Sequence, residues 1–270
     1  MAGLSRHPPR GPVPGRHRVC DLLDAEQLER VARELEPDVV VHAQALSNVD
    51  RCEQAPEEAR AQNVTAVEQL IRALADRPTW LLFISSDCVF DGRKRSPYTE
   101  EDPPNPLSVY GRSKAEGERR VLGHPRGIVI RPSTLFGPGR MQFCDHVVER
   151  LSAGEPVEAF VDQVISPTYT VDMADAIGEL IATLGSTPNP GQPRIYHMAN
   201  EGGCSRLEFA ERIARLLDLP HTLIQQVSMA DRRRAPRPAY SALTTVHLPA
   251  RIGRRLRSWD DALQAYLRCR

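Results

Sequence analysis

Between residues 38 and 131, three short apolar runs alternate with segments of helical periodicity, and this alternation leaves the chain few folds to choose from. The runs at residues 38–42 (Asp-Val-Val-Val-His), 80–85 and 127–131 are five or six residues long. They are too short for buried helices and lack strict polar alternation, a pattern expected of strands covered on both faces. Leu28, Val31 and Leu35 recur at helical spacing behind Asp24, a plausible N-cap, and Pro37 ends that segment. Residues 57–74 and 108–122 read as further helices. Strands separated by helices of this length predict an α/β fold built on a doubly wound parallel sheet. Past Gly137 the pattern loosens, with helices near 141–153, 170–184 and 206–217 and short strands such as 194–197. Residues 1–137 are therefore expected to form the sheet domain. Residues 138–270 are expected to form a smaller substrate lobe, with some elements returning to the main sheet.

Charge narrows the function. Thirty-five Lys+Arg balance 35 Asp+Glu, which argues against a general nucleic-acid binder. The longest apolar runs fall far short of a membrane span, and residues 1–16 have no continuous apolar core of a secretory leader. Six cysteines stand singly and the eight histidines form no H-x-x-x-H pair. Reduced thiols in a cytoplasmic protein without a metal site are the expectation.

The segment Tyr-Gly-Arg-Ser-Lys at residues 110–114 holds one of only two lysines in the chain. Four residues apart on a helix, Tyr110 and Lys114 share one face. A phenol with a pKa near 10 is a poor acid at neutral pH, and a neighbouring ammonium favours its phenolate. Such a tyrosine can exchange a proton with a carbonyl or alcohol oxygen while another group moves hydride. A strand-end hydroxyl from Ser85-Ser86 would hold the same oxygen. The plainer reading is a surface i,i+4 contact.

The wider context is Ser-Ser-Asp-Cys-Val-Phe-Asp-Gly at 85–92, then Pro-Tyr-Thr-Glu at 97–100 and Tyr-Gly-Arg-Ser-Lys-Ala-Glu-Gly-Glu at 110–118. Further segments at 162–177, 194–214 and 237–243 continue it. Together they resemble the extended short-chain dehydrogenase/reductase family, and within it the dTDP-4-dehydrorhamnose reductase group, from about residue 20 to the C-terminus. The resemblance implies a Rossmann-like fold and NADPH-dependent reduction of the C4 ketone of a nucleotide-activated deoxysugar, with NADH as an alternative donor. It implies Tyr110 as general acid, Lys114 as the residue that lowers its pKa and holds the nicotinamide ribose, and Ser86 as the partner of the substrate carbonyl. Ala43, Gln44, Ala45 and Pro132 would lie along the cofactor, Arg6 near a 2′-phosphate, and Asp21 and Leu22 beside adenine. Asp87, Thr134 and Arg237 would face the substrate, with Arg232, Arg233 and Arg234 as further diphosphate candidates. Cys88 stands where the family pattern has Tyr, and Thr134 where many of these enzymes have Trp, so the sugar pocket is expected to be enlarged. A homodimer is compatible with the family.

A dinucleotide fold places a first strand and a Gly-rich turn at the sheet centre, where backbone N–H groups meet pyrophosphate. Nothing before Asp38 reads as that unit, and the chain is expected to begin about thirty residues late in the family pattern, with a start recorded too late. This would leave the edge of the strand at 39–41 open. Two other readings remain: epimerase or dehydratase chemistry in the same superfamily, and a non-catalytic subunit resembling the regulatory beta subunit of methionine adenosyltransferase.

Overall fold

The computed structural model describes residues 1–6, 15–231 and 235–270. Arg232, Arg233 and Arg234 lie outside the described residues. Two short strands, β1 (Ala2–Ser5) and β2 (Arg16–Val19), form a parallel pair of their own. The main sheet contains β3 (Val39–His42), β4 (Trp80–Ile84), β5 (Gly127–Arg131) and the strand Ile195–His197, all parallel and hydrogen-bonded in that order. Among the described residues β3 has no strand on its outer side, and Val41 there is 42% exposed. The open edge expected at residues 39–41 is thus present.

Successive side chains of a strand point to opposite faces, and β4 shows what each face packs against. Leu81 and Phe83 join Leu28, Val31, Val67, Leu70, Val121 and Val129 in one core. Besides Val129 of β5, these residues belong to α1 (Ala25–Leu35), to α4 (Ala66–Ala73), which follows α2 (Val49–Gln54) and α3 (Pro56–Arg60), and to α5 (Val109–Gly123). Asp24 caps α1 by accepting from the Gln27 amide, as its position before the apolar periodicity predicts. The helix expected at 57–74 instead carries a π-helical segment, Ala61–Thr65, between α3 and α4. Such segments widen the helix by one residue and recur at functional sites.

On the opposite face Trp80 and Leu82 meet Ile128, Ile130, Met173, Ile177, Leu180 and Leu248. Beyond Gly137 the helices are α6 (Phe143–Ser152), α7 (Thr170–Ala182), α8 (Arg206–Leu216), α9 (His247–Ile252) and α10 (Trp259–Arg268); α7 and α9 cover this face. A third core joins Phe136, Tyr169, Val147, Phe209, Ile213 and Leu263, from α6, α8, α10 and the connecting strands. Because all four sheet strands run parallel, their C-terminal ends bring His42, Ser85 and Arg131 to one edge. Open α/β sheets bind their ligands there.

Candidate active site

Helix α5 begins on that edge. Ser108 caps it by accepting from the Gly111 amide at 3.0 Å, and Glu53 accepts from the Val109 amide at 2.7 Å. Gly111 is required because a Cβ there would lie 2.2 Å from the Cys88 carbonyl oxygen. The helix can therefore rest directly on the loop that follows β4. One residue per turn, Tyr110, Lys114 and Glu118 face inward and are buried.

The Tyr110 phenol lies beside Ser86. Burial pushes the Tyr110 pKa above its ordinary value, the neighbouring Cys88 and Asp87 add to this, and the Ser86 side chain opposes it. This corrects the expectation that Lys114 lowers the tyrosine. The Lys114 ammonium instead lies over the Phe83 ring, 3.9 Å from its centroid. Burial brings its own pKa down to about 7, against the opposing charge of Glu118. Glu118 is held in a buried two-point ion pair, accepting from Arg131 Nε at 2.8 Å and Nη2 at 2.7 Å, and also accepts from the Ser85 hydroxyl. A stack thus descends from the Tyr110 phenol to a neutralised carboxylate.

Asp87 is a hub. Its carboxylate accepts from Ser86 at 3.0 Å, Ser133 at 2.7 Å and Ser241 at 2.6 Å, and its amide donates to the Pro132 carbonyl at 2.9 Å. Both oxygens are committed, so Asp87 fixes Ser86 and ties β4 to the segments after β5 and before α9. The Thr134 hydroxyl accepts from Arg206 Nη2 at 3.3 Å. Burial lowers the Arg206 pKa to about 10, with Asp87 opposing. Arg237 donates to Asp50 Oδ2 at 2.7 Å and Oδ1 at 3.3 Å, linking the segment after residue 235 to α2.

On the other flank, Gln44 and Arg6 both donate to Gln62 Oε1 in the π-helical segment, at 2.8 and 2.9 Å. Arg6 also pairs with Asp21 at 3.2 Å, and Leu22 packs against the first core. Next to Gln62, the buried Asn63 clamps residue 46, accepting from the Leu46 amide at 2.8 Å and donating to its carbonyl at 3.1 Å. It also donates to Ser113 at 2.9 Å, and Ser113 donates to the Tyr110 carbonyl at 2.8 Å. The 43–46 loop is thereby registered against α5. Ser86, Asp87, Tyr110, Lys114, Pro132 and Thr134 thus gather at one strand edge, Arg237 joins through Asp50, and Arg6 and Asp21 join Gln44 through Gln62. Asn63, Glu118, Ser133, Ser241 and Arg206 were not singled out from sequence. Glu118, Arg206 and Ser241 fall within the motif segments at 110–118, 194–214 and 237–243 but carried no assigned role there.

Small residues Ala43 and Ala45, a lysine ammonium with no side-chain hydrogen bond and the Arg6–Asp21 pair fit the two ends of a dinucleotide. No described segment before Asp38 forms a Gly-rich strand-to-helix turn for the pyrophosphate. Among the described residues no cluster of His, Cys, Asp or Glu could hold a metal, and no helix is long and apolar enough to cross a membrane.

A parallel sheet whose strand-end serine meets a tyrosine one helical turn from a buried lysine defines an oxidoreductase of the short-chain dehydrogenase/reductase type. The chain belongs to the RmlD substrate binding domain family, which it matches over residues 9–269. It is 36% identical over 248 residues to the dTDP-4-dehydrorhamnose reductase of Streptomyces griseus, covering 90% of this chain and 80% of that one. It is 33% identical over 251 residues to a probable dTDP-4,6-dihydroxy-2-methyloxan-3-one 4-ketoreductase of Streptomyces antibioticus, covering 92% and 83%. The crystal structure of dTDP-4-dehydrorhamnose reductase from Bacillus anthracis in complex with NADP superposes with a TM-score of 0.86 at 28% identity, covering 93% of this chain and 87% of that one.

Proposed function

We propose that this protein reduces the C4 ketone of a nucleotide-activated deoxysugar, with NADPH as the hydride donor. The observation that carries this reading is the buried Tyr110 phenol beside Ser86 with Lys114 one turn deeper, at the edge where the relatives' ketoreductase chemistry would fall. Ser86 and Tyr110 hold the ketone oxygen between two hydroxyls. Reduced nicotinamide, when bound, supplies hydride to the carbonyl carbon. Tyr110 then gives its proton to the developing alkoxide, and burial keeps that proton in place until the alkoxide forms. Lys114, ionising at about 7, is matched to return a proton to the phenolate near neutral pH. Lys114 and the 43–45 loop hold the nicotinamide end of the cofactor, and Arg6 and Asp21 hold the adenosine end.

Residues 138–270 contribute most of the sugar pocket in this reading, with Arg206 and Arg237 on its walls and Thr134 of the sheet domain facing them. Two guanidinium groups near Asp87 suit the diphosphate of a nucleotide sugar. Cys88 and Thr134 in place of larger aromatic residues leave room for a sugar other than 6-deoxyhexose itself.

The test is NADPH consumption followed at its nicotinamide absorbance with a panel of dTDP-4-keto sugars. Native protein turns over at least one of them, and Tyr110→Phe lowers kcat by about 10²- to 10⁴-fold without changing the melting temperature. Failure of every 4-keto sugar, or near-native activity of Tyr110→Phe, overturns the reading.

A further inference from the structure

At the sheet edge opposite Tyr110, the ends of α4 and α5 and the starts of β4 and β5 enclose a groove of about 780 Å³. From Tyr110 to Gly123 the helix rises about 20 Å, so the groove is separate from the candidate active site. Arg72, Arg77, Arg119, Arg120 and Arg126 line it, against the carboxylates of Glu68 and Asp76. Over the whole chain, by contrast, 35 basic and 35 acidic residues balance. Glu68 is already paired with Arg120 at 2.9 Å, and Arg77 comes within 3.9 Å of Glu36. Arg72, Arg119 and Arg126 have no carboxylate partner among the described residues. Helix ends attract cations because their last carbonyls lack intrahelical donors, but here those carbonyls are satisfied by other groups. Arg194 donates to the Leu122 and His124 carbonyls at 2.6 and 2.9 Å, and the carbonyls of Leu70, Ile71, Arg72 and Leu74 accept from backbone amides.

Two of the lining groups are held in place. The Arg126 guanidinium lies over the ring of the buried Trp80, 5.7 Å from its centroid. His124 is 7% exposed, and its Nδ1 accepts from the Arg126 amide at 3.2 Å. A backbone N–H can only donate, so the imidazole is neutral and carries its proton on Nε2. That N–H has no acceptor among the described residues. Burial, then the charges of Arg126 and Arg194, hold His124 below its ordinary pKa, so the ring remains a neutral donor in a positive field. A buried donor beside guanidiniums that lack counter-charges is complementary to an anion rich in oxygen.

We propose that this groove binds a small polyphosphate anion: the guanidiniums of Arg72, Arg119 and Arg126 take its phosphate oxygens, and the His124 Nε2–H donates to one of them. Its volume falls in the range of small-molecule sites, roughly 300–1,000 Å³, and exceeds what a single phosphate fills. The inference is independent of the proposed function, since none of these residues is assigned a part in the reaction.

Calorimetric titration of the full chain with inorganic tripolyphosphate, and separately with ATP, tests this at low ionic strength. Arg72 and Arg119 are exposed, so the double variant Arg72→Gln with Arg119→Gln retains the fold. It is expected to weaken tripolyphosphate binding by at least about tenfold. Arg215→Gln with Arg268→Gln, which removes the same charge from α8 and α10, and Arg6→Gln, at the far edge of the sheet, should each change it by less than about twofold. ATP binding tighter than tripolyphosphate assigns the site to nucleotides, whose base can rest on Ile71, Pro78 and Pro125; equal affinity assigns it to inorganic polyphosphate. In protein labelled with ¹⁵N at histidine, the Nε2 signal of His124, identified by His124→Gln, should shift and saturate along the same isotherm. No binding of either anion, equal weakening by the control variants, loss in Arg6→Gln instead, or an unmoved His124 signal overturns the inference. Binding with these properties but no turnover of any 4-keto sugar would count against the proposed function alone.

Discussion

The strand ends around α5 and the margin formed by β1, β2 and β3 are built from the same chain but to opposite specifications. Around α5, the side chains of Glu118, Arg131, Asp87, Ser133 and Asn63 are all buried and interlocked by charge-assisted or hydroxyl hydrogen bonds. At the margin, Leu4, Val19 and Val41 are 38%, 47% and 42% exposed, and the ion pair of Arg6 with Asp21 stands in solvent. Interactions in the first region are strong because water is excluded, and each depends on its neighbours. Those in the second are screened and nearly independent. The geometry around Tyr110 and Lys114 is thus fixed by a polar network that tolerates little, while the margin at Arg6 and Asp21 rests on contacts worth little individually.

The largest effect that would break this contrast is expected at Glu118. Glu118→Ala leaves Arg131, 1% exposed, without its carboxylate. Loss of one partner of such a pair costs about 3–5 kcal/mol. Urea denaturation should show that loss, whereas Asp21→Ala, which breaks the exposed pair with Arg6, should stay within about 1 kcal/mol. Equal losses would erase the distinction between the two regions.

Gly111→Ala comes next. The added methyl meets the Cys88 carbonyl, so α5 must lift from the loop after β4. Overpacking of this kind costs about 1–3 kcal/mol. Because Tyr110 is its neighbour, kcat should fall more than KM changes in steady-state kinetics. Gly3→Ala in β1, where a Cβ would meet only a His17 ring carbon at 3.5 Å, should be close to silent in both measurements.

Acid separates the regions more gently. His42 and His197 have folded pKa values of about 3 and about 4, lowered first by burial. A histidine whose folded pKa lies below its unfolded value of 6.5 binds its proton less readily in the native state. Stability is therefore full above pH 6.5 and falls as pH drops through the window between 6.5 and the folded pKa. The slope is about 1.4 kcal/mol per pH unit for each histidine. Melting temperatures measured from pH 7 to 5 should decline, and His42→Asn should flatten part of that decline. A pH-independent melting temperature would show that the buried histidines open to water before the strands separate.

Legibility in the sequence follows the same division. Residues 38–42, 80–85 and 127–131 could be read as strands because burial on both faces demands runs of Val, Ile, Leu and Phe. By contrast β2, Arg-His-Arg-Val, is polar and exposed, so nothing in its composition marks it as a strand. Ser86, Tyr110 and Lys114 were visible because their chemistry sits in a short motif. Ser133, Ser241 and Asn63 were not, since their only distinction is which carboxylate or carbonyl they reach, and partners up to 154 residues apart meet only in three dimensions. The acidity of Tyr110 went astray for a related reason: helical spacing gives the distance to Lys114, whereas the depth of burial that dominates both groups is a property of the packed structure.

Val41 supplies the smallest expected effect and the sharpest control. Its side chain lies on the open edge strand of the main sheet, 42% exposed, so a hydroxyl in place of one methyl stays within reach of water. Val41→Thr should change stability by no more than about 0.5 kcal/mol. Val129 occupies β5 two strands further in and is fully buried. There the same substitution places a hydroxyl against Leu81, Phe83 and Val121, where only backbone carbonyls already used by the sheet could accept from it. Its expected cost is about 1–3 kcal/mol. The two substitutions are chemically identical, and both residues are β-branched strand formers, so propensity cancels between them. Any difference in urea midpoint then measures how far water reaches into the sheet at β3. A Val41→Thr loss as large as that of Val129→Thr would mean that the β3 edge is covered in solution, and the contrast between the two regions would fail at the sheet itself.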